Sequence, residues 1–263
     1  MTIQKLWRQN GVTISGQVGQ TLPFSETYRS KPVVQVERAL QGGLSPRDQP
    51  SNAVTVAASY RPADTFAATP DVALTSFVGA SGETWTKIHD DTDAISEMIV
   101  TADRLTGGNT LGDVYIRGAA DRGPKQFAEA DFVGGSATGQ VGHVIGVFMA
   151  GTNCYGLTLR TANSGATPPY PGRAILYRYV NNANTVLAEW DVDLPVSGIR
   201  KGRVEVDRTS GQPVLRVYHE GALVGTYTDT SGSALSGGGV GVRARVSMSG
   251  FATRLKTFHG GSL

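Results

Sequence analysis

From Gly202 onward, apolar and polar residues alternate with period two. Val204 and Val206 alternate with Glu205 and Asp207, and after Thr209-Ser210-Gly211 a second run alternates Leu215 and Val217 with Arg216 and Tyr218. Period two on both sides of a turn is a hairpin signal. Gly221 turns the chain into 223–227, a Gly/Ser run reverses it, and Val240, Val242, Ala244 and Val246 open a further alternating strand. The pattern predicts four strands in one antiparallel meander.

Upstream, the same grammar predicts strands at 95–100, 113–118, 126–133, 143–150 and 155–160, each short and bounded by Gly, Asp, Asn or Ser, with a turn at 104–108. Residues 73–77 and 83–88 are expected to be the arms of a first hairpin, with Trp85 between two sheets. A later hairpin with a four-residue loop at 181–184 would pair Tyr179 with Val186, Tyr177 with Ala188 and Ile175 with Trp190, giving one apolar face. Arg178 and Glu189 then share the opposite face on a diagonal of about 7–8 Å.

Residues 1–60 read as a separate small β unit. Val12-Thr13-Ile14, the run through Pro32-Val33-Val34-Gln35-Val36, and 54–58 are its expected strands, with Pro23 and Pro32 at strand starts or edges. Arg61-Pro62-Ala63 breaks both flanking patterns and marks the joint, which puts a larger domain at 61–263. The first unit serves docking or oligomerisation, or its strands extend one edge of the main sheet system.

The order Val217-Tyr218, Gly221, Leu223-Val224, then Asp229, Leu235 and a Gly cluster before Gly241-Val242, with an aromatic strand at Phe258, resembles the C-terminal half of concanavalin A-like jelly rolls. Asp64-Thr65-Phe66, Leu74, Gly82 and Thr84-Trp85-Thr86 resemble the opening of such domains in phage-encoded and bacterial wall-associated proteins. The spacing of Phe24, Tyr28, Pro32, Val34 and Val36 is similar to small β modules of phage tail-fibre and spike proteins. The resemblance implies an all-β fold, a concanavalin A-like jelly-roll β-sandwich preceded by a small β module. That sandwich hosts lectins, glycanases and scaffolds alike, so function has to come from the site.

Composition agrees with many short strands: 34 Gly and 12 Pro punctuate 263 residues, and only 17% are charged. With 24 Lys and Arg against 22 Asp and Glu, the net charge of +2 does not suit a dedicated nucleic-acid binder. Arg200, Lys201 and Arg203 flank a turn, and Arg243 and Arg245 alternate on one strand. These residues form a modest anion-attracting surface, or they pair with nearby Asp and Glu. The N-terminus MTIQKLWRQN carries no apolar signal region and no run approaches ~18 apolar residues. The expectation is a chain made in the cytoplasm, without membrane insertion, and carried on a virion.

Candidate chemistry is sparse. Cys154, the single cysteine, sits in an alternating run as a buried thiol and excludes an intrachain disulfide. The Gly134–Gly139 loop lies between strands, whereas phosphate-cradling loops open onto a helix. His89, His143, His219 and His259 show no zinc spacing. The run His89-Asp90-Asp91-Thr92-Asp93 reads first as a solvated turn, with calcium as the alternative its carboxylates allow.

Some glycanases of this fold place an E-x-D-x-x-E or E-x-D-x-E motif on one strand face. Glu189 and Asp191 match its first two positions, but Asp193 or Leu194 stands where the last Glu belongs. An Arg178 partner for Glu189 would also work against a general acid. The reading is therefore a non-enzyme with no metal and no cofactor.

Tyr170, on the proline-stiffened loop 161–173, is the candidate for stacking on a sugar, or else folds back as a lid. Arg173, Asn153, Tyr155, Arg178, Glu189 and Asn182 are the surrounding candidates for hydrogen bonding. The expected partners are a cell-surface or capsular polysaccharide, other virion proteins through residues 1–60, and further copies of the chain. The expected role is adhesion by a fibre or spike of a phage-like particle. A purely structural virion protein and a polysaccharide hydrolase are the alternatives.

Overall fold

The computed structural model describes the backbone of residues 2–9, 12–18, 32–40, 47–50, 54–55 and 107. It describes 63–89, 98–106, 113–118, 120–135, 142–162, 171–196, 198–244 and 254–263 with their side chains. The chain divides into two compact units, Met1–Arg61 and Pro62–Leu263.

The first unit is an antiparallel sheet of β1 (Thr2–Gln9), β2 (Val12–Val18), β3 (Pro32–Leu40), β4 (Arg47–Pro50) and β5 (Val54–Thr55). Its order is β2-β1-β3-β4, with β5 also on β3. Strand β1 was not expected from the sequence. It pairs residue for residue with β3, from Thr2 opposite Leu40 to Gln9 opposite Val33, and with β2 across a register shift whose extra residues lie in β2.

The second unit holds two antiparallel sheets. The seven-stranded sheet runs β16 (Ala183–Asp191), β15 (Arg173–Val180), β14 (Asn153–Arg160), β13 (His143–Ala150), β20 (Gly239–Ala244), β11 (Val114–Arg117), β8 (Trp85–His89). The other sheet runs β19 (Ala222–Thr228), β18 (Val214–His219), β17 (Ile199–Asp207), β12 (Lys125–Val133), β21 (Arg254–Leu255), β10 (Leu105–Gly107), β9 (Met98–Val100), β7 (Val72–Ala73). Strand β22 (Thr257–Ser262) also pairs with β12 and continues into β6 (Asp64–Thr65).

One hydrophobic core draws on both sheets, with Val204, Val206, Ala128 and Phe132 from one and Ile145, Leu157, Leu176 and Val242 from the other. Trp85 is buried in it, 5.8 Å from Phe66 and edge-on to Phe258 at 5.1 Å. This is the two-layer all-β sandwich that the resemblance implied.

A second apolar cluster, Val114, Ile116, Val144, Met149, Cys154, Ile175, Tyr177 and Tyr179, lies on the opposite, outer face of the seven-stranded sheet. These residues alternate with the core residues of the same strands, as the pleat requires.

Three expected pairings change. First, β17, β18 and β19 do form a meander, but β20 leaves it and enters the other sheet between β13 and β11. Strand β20 is buried at every position, and its backbone is crowded: a Cβ on Gly241 would stand 1.9 Å from the Tyr115 carbonyl oxygen. Second, 73–77 is not a hairpin arm. Leu74–Ser76 is a 3-10 turn that drives Leu74 into the core, and β7 pairs with β9 while β8 belongs to the facing sheet.

Third, the β15–β16 hairpin turns on two residues, Asn181 (φ 49°) and Asn182 (φ 68°), with Val180 opposite Ala183. Asparagine tolerates the left-handed conformation that this tight turn demands twice. A register shift beyond Leu176 then sets Ala174 opposite Trp190 and Ile175 opposite Glu189. A one-residue slip exchanges faces. Leu176 and Trp190 therefore turn toward the core, and Tyr177 toward the outer face. Trp190 closes the sandwich edge against β19, where a Cβ on Gly225 would meet its indole at 2.0 Å.

The sheets are also joined by charge. Arg117, on β11, is 0% exposed and donates from Nε to Glu83 Oε2 (2.9 Å), from Nη1 to the Phe258 carbonyl (3.2 Å) and from Nη2 to the Gly260 carbonyl (3.1 Å). Asp64 Oδ2 lies 3.6 Å from Nη1, and Arg122 holds the other oxygen of Glu83 at 2.8 Å. Arg117→Ala would leave Asp64 buried without its cation and Glu83 with Arg122 alone. It should lower the urea unfolding free energy by about 3–5 kcal/mol, and a loss under 1 kcal/mol would contradict this account.

Candidate functional site

At one end of the sandwich the β13–β14 turn (Gly151, Thr152), the Asn181-Asn182 turn and the start of the β19–β20 connection come together. Asn153 Oδ1 accepts the Asn181 backbone N–H at 2.7 Å. Asn182 Oδ1 accepts from Arg243 Nη2. Each amide is fixed by its oxygen, which leaves two N–H donors per side chain at a partly exposed rim.

Next to them, Tyr155 donates from Oη to Asp229 Oδ2 at 2.7 Å, and the Leu235 backbone N–H donates back to that hydroxyl at 2.9 Å. Arg178 Nη1 reaches both oxygens of Asp229 at 2.9 Å and also bonds Ser231 Oγ. Asp229 is 1% exposed. Burial works to raise its pKa, but hydrogen bonds from Ser231, Tyr155 and Arg178 outweigh burial and hold the carboxyl below the ordinary aspartate value. For Tyr155, burial and then the bond to Asp229 push the phenol upward.

The structure thus brings Asn153 and Asn182 to a partly exposed rim with Arg178 beside them, buries Tyr155 in the core rather than leaving it open to a ligand, and leaves Arg173 and Glu189 elsewhere. Arg173 lies five residues along β15 from Arg178, about 16 Å at strand rise. The partner of Glu189 is Arg173 at 2.6 Å, rather than Arg178, because the register shift carries Glu189 to the outer face. Asp191 sits on the same face, 3.4 Å from Arg173 Nε.

Asp193 has left the strand and pairs with Arg200 at 2.5 Å, while Leu194 is core. The third carboxylate of a hydrolytic strand motif is therefore missing. Tyr170 and Asp90–Asp93 lie outside the described residues. Among the described residues, no three His, Cys, Asp or Glu side chains converge to hold a metal.

The basic residues expected to flank a turn lie along strand β17 and form pairs, Arg200 with Asp193, Lys201 with Glu129 at 3.5 Å and Arg203 with Glu205 at 2.7 Å. The sequence reading missed the roles of Asp229, Ser231 and Arg243 at the rim. Asp229 was visible only as part of a family pattern, and nothing in the chain between 178 and 229 signals that a connection crosses from one sheet to the other there.

No family model matches the chain, and no curated protein matches it. Among solved structures it is similar to a carbohydrate-binding module (CBM66) from Bacillus subtilis, at 16% identity and a TM-score of 0.46, over 68% of this chain and 95% of that one. It is similar to the carbohydrate recognition domain of Emp47p at 12% identity and a TM-score of 0.44, over 73% and 94%. A GH43 protein from Bacillus licheniformis aligns at 13% identity and a TM-score of 0.49, over 94% of this chain and 50% of that one. The chemistry of the rim rests on its own residues.

Tyr155→Phe removes one donor from a buried carboxylate and should cost about 1–3 kcal/mol in denaturant unfolding. Because the folded pKa of Tyr155 is raised, its contribution is full below the unfolded value of about 10 and fades as pH rises above it. The variant should lose less stability than the parent between neutral pH and pH 11. Parallel curves would show that this phenol is not responsible.

Proposed function

We propose that the protein is a non-enzymatic carbohydrate-binding component of a phage-like virion fibre or spike, which attaches the particle to a host-surface or capsular polysaccharide. The observation that carries the glycan reading is the rim. Two amides locked by their oxygens and a guanidinium locked on Asp229 present donors in fixed positions, so little side-chain freedom is lost when a sugar hydroxyl binds. The missing third carboxylate, and the engagement of Glu189 by Arg173, support binding without hydrolysis.

The virion setting is supported by the resemblance of the opening of the sandwich sequence to phage-encoded and bacterial wall-associated domains, and of residues 1–60 to small β modules of phage tail-fibre and spike proteins. In this reading the first unit docks to other virion proteins or to further copies, and display of many copies raises a weak single-site affinity.

A purely structural role is the second reading. It is favoured by the outer face of the seven-stranded sheet, where Val144, Ile175, Tyr177 and Tyr179 are all buried and offer no open trough.

The full chain, multimerised, should be retained on an array of capsular and cell-surface glycans, and Asn153→Ala with Asn182→Ala should reduce retention about tenfold or more. No retention of the multimer on any glycan would favour the structural reading. New reducing ends that disappear in Glu189→Gln would replace binding with hydrolysis.

A further inference from the structure

Arg243 is the exception among the buried guanidiniums. Arg117 meets Glu83 and Asp64, and Arg178 meets Asp229. Arg243, on the central strand β20, is 2% exposed, yet among the described residues no carboxylate lies within ion-pair distance of it. It donates from Nη1 to the Thr152 carbonyl at 2.9 Å and from Nη2 to Asn182 Oδ1, and its Cζ lies 4.2 Å from the Tyr179 ring centroid.

All three contacts are with neutral groups, and Nε is buried without an acceptor. Cys154, close enough to feel the charge, supplies none. Burial raises its thiol to about 11, so it stays protonated at neutral pH. A cation out of water costs several kcal/mol, and a ring face with two carbonyl-type acceptors offsets only part of that.

Among the described residues the site is therefore half of an ion pair, with its guanidinium tied to the two turns that form the rim. We infer that the other half arrives with the ligand, as the carboxylate of an acidic sugar. This rests on the glycan-binding reading and narrows it to a class. A guanidinium offers five N–H donors in a planar fork, of which one hydrogen on each Nη remains beside the part-buried contacts to Thr152 and Asn182, while Nε–H points into the protein. Such a fork matches the two oxygens of a carboxylate. The Asn153 and Asn182 amides stand at the same rim to take ring hydroxyls. Charge on the ligand is then neutralised where the protein has left a positive charge unmatched.

The test uses the full chain against a panel of uronic-acid-containing capsular oligosaccharides, each paired with the same oligosaccharide after its carboxyl is reduced to the alcohol, with affinity read by calorimetry. At least one acidic member should bind about tenfold or more tighter than its reduced form, the worth of one charged hydrogen-bonded contact. Arg243→Gln should abolish that difference. Arg243→Lys, which keeps the charge and loses the fork, should diminish it.

Without ligand, Arg243→Gln should unfold at the same temperature as the parent or higher, because an unmatched buried cation is gone. A clear drop in unfolding temperature would assign Arg243 to the framework and overturn the inference. Equal binding of acidic and reduced forms would also overturn it while leaving glycan binding intact, and binding of neither would remove both. An acid preference that survives Arg243→Gln would place the carboxylate elsewhere.

Discussion

A guanidinium in a dry interior has to bring its own electrostatic environment with it, and Arg117 is where the sandwich meets that requirement. Its five N–H groups face two carboxylates and two backbone carbonyls drawn from β22, from the segment around Asp64 and from the loop that carries Glu83. Hydrophobic burial alone would let two layers of β-sheet slide and twist over one another. A fork of directed hydrogen bonds from one sheet to the backbone of the other fixes their relation. The same side chain ties the first segment of the domain to the last, because Asp64 sits on β6 and Phe258 on β22, and these two strands also pair directly.

The Asp229 cluster repeats the device with a different outcome. Asp229 begins the connection that carries the chain from the edge of one sheet to the centre of the other. Arg178 and Tyr155, both on the receiving sheet, hold it there. The crossing is therefore fixed by a buried carboxylate, and the polar groups it gathers are left at a rim together with the tight asparagine turn. The rim is thus a by-product of closing the fold: every group at it is immobilised by a bond the fold already needs.

Arg243 departs from this economy. Among the described residues, buried Arg117 and largely buried Arg178 each meet a carboxylate, and Arg243 on β20 does not. Among the described residues the same electrostatic problem is solved twice, at Arg117 and Arg178, and left open at Arg243 beside a rim of oriented amides, which is the basis of the proposed acidic ligand. The paired basic residues of β17 carry no such imbalance, since each meets a carboxylate.

The sequence by itself determined the all-β class, most strand positions from β11 to β19, and the burial of Trp85 and Cys154. All of these follow from side-chain alternation and turn residues, which are local. It could not determine which strands are neighbours. The departure of β20 from its meander depends on Asp229 finding partners 51 and 74 positions earlier in the chain, and local pattern carries no record of such distances. The face of Glu189 was likewise decided by a register shift beyond Leu176, which no period-two reading contains. Whether an arginine is solvated, paired or stranded is the least local property of all. The alternation around Arg243 fixed the face it leaves from, and only the packing of Tyr179, Thr152 and Asn182 around it decided that its charge would be buried among neutral partners, with no carboxylate beside it among the described residues.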